Sequence, residues 1–168
     1  QLHIEPELPA ARGDYELIMS VLTNLLSNAF RYTPQGDVVM LNAEAVRDEG
    51  QTKAAGIKFS VVDHGPGISK EQQKILFTRF STFAAMSRPS IDRPGQPTLE
   101  RGEKATRWSP ATGLGLYISR GIIEAHKSQL TLNSDPGQGA IFSFILPIFK
   151  HQQKKDSAQK VSTPSRGR

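Results

Sequence analysis

Apolar residues along the chain follow two spacings, and the alternation between them sets out the elements. From Asp14 to about Tyr32, Leu17, Ile18, Val21, Leu22, Leu25, Leu26 and Ala29 recur every three or four positions, an apolar stripe wide enough to need a core partner. Asp14 is placed to cap this helix, and the turn Thr33-Pro34-Gln35-Gly36 ends it. Val38 to Val46 and Ile57 to Val62 are β-branched and apolar runs that read as paired strands, with Asp48 to Ala55 as the polar connection. Gln1 to Glu5 alternates around Leu2 and Ile4 as a short entering strand. A brief helix is expected over Ser69 to Phe77, with Ser69 as its cap and Glu71 in the first turn. Helical spacing returns over Gly113 to Ala125 through Leu116, Ile118, Ile122 and Ile123. Leu130 to Asn133 and Ala140 to Leu146 are then strands about the turn Asp135-Pro136-Gly137-Gln138-Gly139. The mixture predicts an α+β domain, with helices on one face of a mixed, largely antiparallel sheet.

Two stretches escape this pattern. Ser81 to Ala111 has no periodicity and carries Pro89, Pro94, Pro97, Pro110, Gly95 and Gly102, so it reads as a functional lid or a disordered segment. Residues 150–168 have almost nothing apolar to bury and read as a disordered basic tail, leaving 1–149 as the folded domain. The tail also explains the net charge of +5. It holds six of the 21 basic residues and one of the 16 acidic ones, so the remainder carries 15 of each and is neutral. The basic balance is therefore no sign of a nucleic-acid face. Without cysteine there are no disulfides or thiolate metal sites, and no apolar run approaches the ~20 residues of a membrane span. A cytoplasmic, monomeric domain without membrane contact is expected. His3, His64, His126 and His151 are too scattered for a metal site and are expected to be structural or solvated.

Three segments carry candidate chemistry. On the long helix Asn24, Asn28 and Arg31 fall at i, i+4 and i+7 and share one side, next to the apolar stripe. Amide oxygens ligate hard cations and guanidinium grips phosphate, so this side could floor a metal–nucleotide pocket; alternatively it is the solvated side of an ordinary amphipathic helix. Asp63-His64-Gly65-Pro66-Gly67-Ile68 puts a carboxylate at the end of an apolar strand, where it needs a donor such as an adenine amino group. A strand followed by a tight turn would look the same. Thr112-Gly113-Leu114-Gly115-Leu116 opens the last long helix with flexible backbone amides that attract phosphate, or is simply a glycine-bearing helix start.

In this order the segments resemble the catalytic, ATP-binding domain of sensor histidine kinases, in the Bergerat-fold superfamily. Asn24 to Tyr32 looks like the N box and Asp63 to Gly67 the first glycine box. Phe77-Thr78-Arg79-Phe80 looks like the F box and Gly113 to Leu116 the second glycine box, with the ending Gly137 to Phe142 and Leu146-Pro147 also similar. The resemblance runs to about Pro147 and implies a two-layer α/β sandwich that binds ATP and Mg²⁺. It implies Asn28 as the metal ligand, with Asn24 nearby, and Arg31 on phosphate where the family usually has Lys. Tyr32 would pack by the nucleotide, Asp63 would accept the adenine amino proton, and Gly65, Gly67 and Ile68 would line base and sugar. Thr112, Gly113, Leu114, Gly115 and Leu116 would surround the phosphates. Phe77 and Phe80 would anchor the start of the lid, and Arg79 would help neutralise the γ-phosphate. Ser81-Thr82 replaces the usual Tyr-Arg pair, the lid is long and carries Trp108, and Lys127-Ser128 replaces a glycine pair after His126.

Asn24 bears on the reaction. Superfamily hydrolases and serine kinases resemble this N box but carry Glu at that position, as the base that activates water or a hydroxyl. Asn cannot act as a base, whereas a neutral imidazole already has a free lone pair. The resemblance therefore implies transfer of the ATP γ-phosphoryl group to histidine. The acceptor is expected on a dimerisation domain outside this sequence, since no His here stands in a His-Glu/Asp-x-x-Thr/Asn setting. A response regulator would be the downstream partner. The alternatives are a nucleotide-binding regulatory module without phosphotransfer and a Bergerat-fold ATPase.

Overall fold

A computed structural model describes residues 1–47, 54–79 and 113–149. The expected lid, with Phe80, Thr112 and Trp108, and the expected tail lie outside the described residues. Helix α1 spans Tyr15–Tyr32, and the Asp14 side chain accepts from the Leu17 N–H as its cap. It buries Ile18, Val21, Leu25 and Ala29, the centre of the apolar stripe. At its end Gly36 takes φ +98°, a left-handed turn that glycine adopts without strain.

Five strands form one sheet: β1 (Leu2–Ile4), β2 (Met40–Arg47), β3 (Ala54–Asp63), β4 (Thr131–Ser134) and β5 (Ala140–Pro147). Their order is β1-β2-β3-β5-β4, with β1 parallel to β2 and all other neighbours antiparallel. The α+β class with a mixed, largely antiparallel sheet is as the spacing predicted. Along β5, Ala140, Phe142, Phe144 and Leu146 are buried while Ile141 and Ile145 are exposed, so one face only meets the core. Opposite them on β3 stand Asp63, Val61, Phe59 and Ile57, and the Phe59 and Phe144 rings stack at 5.3 Å between centroids. This inner face packs with the buried side of α1 and with Ile123 of helix α3 (Gly115–Ala125). Helix α2 (Lys70–Ile75) is closed by a reciprocal Ser69–Gln72 capping box, with Glu71 in its first turn.

Strand bounds differ from the sequence reading for local reasons. β2 begins at Met40 rather than Val38, because the Val38 carbonyl meets His64 Nδ1 at 2.7 Å and the Val39 carbonyl accepts from the Gln1 amino group at 2.6 Å. β3 extends back to Ala54, where it pairs with Arg47 beyond an irregularity in the register. The substitution of glycine after α3 has its cost in the turn: Lys127 takes φ +60°. Lys127 N–H donates to the Glu124 carbonyl and Ser128 N–H to that of Ile123, the bond pattern of a Schellman cap that glycine usually fills.

Candidate functional site

The site follows α1 along its length. Helices α1 and α3 pack antiparallel, fixed at two levels. At the start of α1, the Asp14 N–H donates to His126 Nε2 at 3.0 Å, and His126 Nδ1 lies 2.7 Å from the Ile122 carbonyl. Ten residues further along α1, Asn24 Nδ2 donates to Ser119 Oγ at 3.0 Å. The same carboxamide fills the space beside Gly115, where any Cβ would overlap Asn24 Oδ1. Asn28, one turn beyond Asn24, is thereby carried toward the N-terminal end of α3. That end has Leu114 as its cap residue without a side-chain cap bond, and Gly113 before it at φ +69°. The close contact at Gly115 is a packing reason for glycine in this box, in addition to any phosphate contact.

At its other end α1 meets the loop after β3. A Cβ on Gly65 would stand 2.9 Å from Asp63 Oδ1 and 3.0 Å from the Tyr32 carbonyl, so only glycine lets the helix end, the carboxylate and the loop come together. Asp63 is 7% exposed. Its Oδ1 accepts from Gly65 N–H at 2.9 Å and Ala140 N–H at 3.2 Å, while Oδ2 accepts no bond from the described residues. Burial pushes this carboxyl above the usual carboxylate range, against the two N–H bonds and the nearby His64, which favour the charged form. A half-committed, desolvated carboxylate is suited to accept one more donor.

Gly67 and Gly139 answer to protein rather than to open space. Gly67, at φ +70°, leaves room for the Asp135 carbonyl, and Gly139, at φ +72°, for the Asp63 carbonyl. Ser134 joins the same corner, accepting from the Ile68 N–H at 2.9 Å and donating to the Gly139 carbonyl at 2.6 Å. The loop from Gly65 to Ile68 is thus clamped onto the β4–β5 turn.

The remaining expected residues lie around these two ends. Tyr32 is half-buried and Arg31 exposed in the last turn of α1. Burial raises the Tyr32 hydroxyl above its ordinary value, opposed by the Arg31 charge. Leu114 and Leu116 are half-buried where α3 begins. Arg79 lies 5.1 Å from the Tyr117 ring centroid and Arg120 5.7 Å from that of Phe77, so the segment after α2 docks on the outer side of α3. Ser119 and His126 went unnoticed in the sequence as partners of α1. The legible signal was Ser119, a polar residue in the apolar stripe between Leu116 and Ile123.

Among the described residues, no group of three or more His, Cys, Asp or Glu could hold a metal. No helix among the described residues is long and apolar enough to cross a membrane.

A helix whose last turn meets a desolvated carboxylate and whose middle packs against a glycine-flanked helix start is suited to hold a nucleotide. The profile of the family described as "Histidine kinase-, DNA gyrase B-, and HSP90-like ATPase" matches residues 13–150. Over 149 residues the chain is 34% identical to the non-motile and phage-resistance protein of Caulobacter vibrioides, covering 89% of this chain and 15% of that protein. It is 32% identical over 147 residues to the adaptive-response sensory kinase SasA of a Synechocystis species, covering 88% of this chain and 32% of the kinase. The fold matches full-length ShkA, solved in complex with AMPPNP, with a TM-score of 0.63 and 24% identity over 88% of this chain and 25% of that one. The chain belongs to this ATPase family, as an ATP-binding catalytic domain of the sensor histidine kinase type. It spans less than a third of the length of these relatives.

Proposed function

We propose that this domain binds Mg²⁺-ATP along α1 and donates the γ-phosphoryl group to a histidine on a dimerisation domain outside this sequence. The observation that carries the reading is that Asp63 meets the last turn of α1 while the start of α3 packs against Asn24, two levels of one helix about 12 Å apart along its axis. Asp63 Oδ2 would accept from the adenine amino group while Gly65 and Ala140 hold Oδ1. Gly67 and Ile68 would flank the base and sugar, and Tyr32 would pack beside them. The backbone from Thr112 and Gly113 through Leu116 would meet the phosphates at the α3 N-terminus.

Asn28 fits a hard cation. Its carboxamide is half-buried and makes no hydrogen bond to the described residues, and a single protein oxygen beside phosphates is an ordinary setting for Mg²⁺. Bound there, the ion would neutralise phosphate charge. Arg31 and Arg79 would add positive charge, and Asn24 would orient the phosphate end without acting as a base. Catalysis would then rest on positioning and charge neutralisation. A response regulator would take the phosphoryl group onward.

The test is transfer in trans. The 168-residue chain should bind ATP without labelling itself, and should label the parent's dimerisation helices on histidine when they are added separately. A phosphohistidine bond is acid-labile and base-stable, unlike a serine or threonine ester. Acid-stable label would overturn the histidine assignment, and nucleotide binding with no transfer even in the full-length parent would favour a regulatory module.

A further inference from the structure

Serine is an odd residue for position 119. It lies three residues after Leu116 and four before Ile123, on the side of α3 that faces the core, and it is 2% exposed. A hydroxyl buried there costs free energy unless it is bonded, so its partner is informative. That partner is Asn24, whose Nδ2 donates to Ser119 Oγ at 3.0 Å. The other atom of the same carboxamide, Oδ1, lies against Gly115, one turn nearer the start of α3.

These two contacts hold the Asn24 carboxamide against the first turns of α3. The NH2 group points toward the middle of α3 and the oxygen toward its N-terminus. An alkyl side chain at 119 would leave the carboxamide without this polar anchor on α3 and freer to rotate. The helices are also tied at their other level, through His126 and the Asp14 N–H, so α3 keeps that tie to α1 when the Asn24–Ser119 bond is lost.

We propose that Ser119 is a positioning residue for the phosphate end of the site: it acts through Asn24, holding its carboxamide in place beside the start of α3. This rests on the nucleotide reading above and deepens it. The task that the sequence assigned to the N box alone is then shared between α1 and α3.

The test is a double-mutant cycle in the 168-residue chain, read by calorimetry with two ligands, Mg²⁺-ATP and adenosine. Loss of one net hydrogen bond should make Ser119→Ala bind Mg²⁺-ATP roughly fivefold more weakly, with adenosine affinity unchanged. Ser119→Cys, of similar volume but a poor acceptor, should behave like alanine, and Ser119→Thr should restore affinity. In an Asn24→Ala background, Ser119→Ala should have no further effect. Equal Mg²⁺-ATP affinity for wild type and Ser119→Ala would overturn the proposal while leaving the nucleotide reading intact. So would a loss that is the same for both ligands or persists without Asn24, since that is the mark of a purely structural role. A wild-type chain that binds neither ligand would instead remove the nucleotide reading, and this inference with it.

Discussion

Asp63→Asn separates binding from folding at one atom. The substitution keeps the shape of the side chain and an Oδ1 able to accept from Gly65 and Ala140 N–H, the two bonds that fix the carboxylate. It changes the second position, where an amide NH2 replaces Oδ2 and would meet the adenine amino group donor to donor. A buried donor left without an acceptor costs about 1–3 kcal/mol, or roughly 5- to 150-fold in Kd. Stability should move the other way. Burial raises the folded-state pKa of Asp63 above its unfolded value, so its contribution is fully present below the unfolded pKa and is lost as pH rises through the folded one. Above the unfolded pKa the carboxyl therefore carries a burial cost that the neutral amide avoids. The nucleotide-free variant should melt at or above the wild-type temperature, and the difference should shrink as pH falls toward the ordinary aspartate range. Calorimetry with ADP and thermal melts from about pH 4 to 8 read both effects. Equal ADP affinity in the two proteins would refute the adenine assignment. A variant less stable than wild type at pH 8 would refute the account of the buried charge.

Two further outcomes follow from other parts of the structure. Asn28→Ala should abolish the gain in ATP affinity that Mg²⁺ gives the wild type, because it removes an oxygen ligand; equal Mg²⁺ dependence in both proteins would show that Asn28 is not one. Lys127→Gly should stabilise the domain by about 1 kcal/mol and raise Tm by about 2–4 °C, since glycine adopts the left-handed cap conformation without the penalty carried by a side chain at φ +60°. An unchanged or lower Tm would mean that the lysine side chain compensates elsewhere.

The elements were legible because each carries its own period. The stripe from Ile18 to Ala29 and the alternation from Ala140 to Leu146 could each be buried in only one way, and the caps at Asp14 and Ser69 were visible as residue types. Strand starts were less legible. Whether Val38 and Val39 enter the ladder depends on His64 and Gln1, whose distance in sequence gives no local sign. At the site, Asp63 was readable as a carboxylate ending an apolar strand. The close packing of Gly67 and Gly139 was not, because the carbonyls they accommodate arrive from other segments. His126 was read as structural or solvated, and it is structural; that it serves the first turn of α1 follows only from the antiparallel packing of two helices.

The corner where the Gly65 to Ile68 loop meets the β4–β5 turn bears on how an inhibitor directed at the adenine end could be evaded. Resistance to such compounds commonly needs a side chain that blocks the ligand and spares the fold. At Gly67 and Gly139 any added carbon would overlap a backbone carbonyl, and at Gly65 it would crowd the Tyr32 carbonyl. Asp63 must keep accepting from two N–H groups of that same corner. Escape by substitution at these positions would damage the scaffold before it excluded the drug. Viable escape routes should therefore concentrate at positions outside this corner.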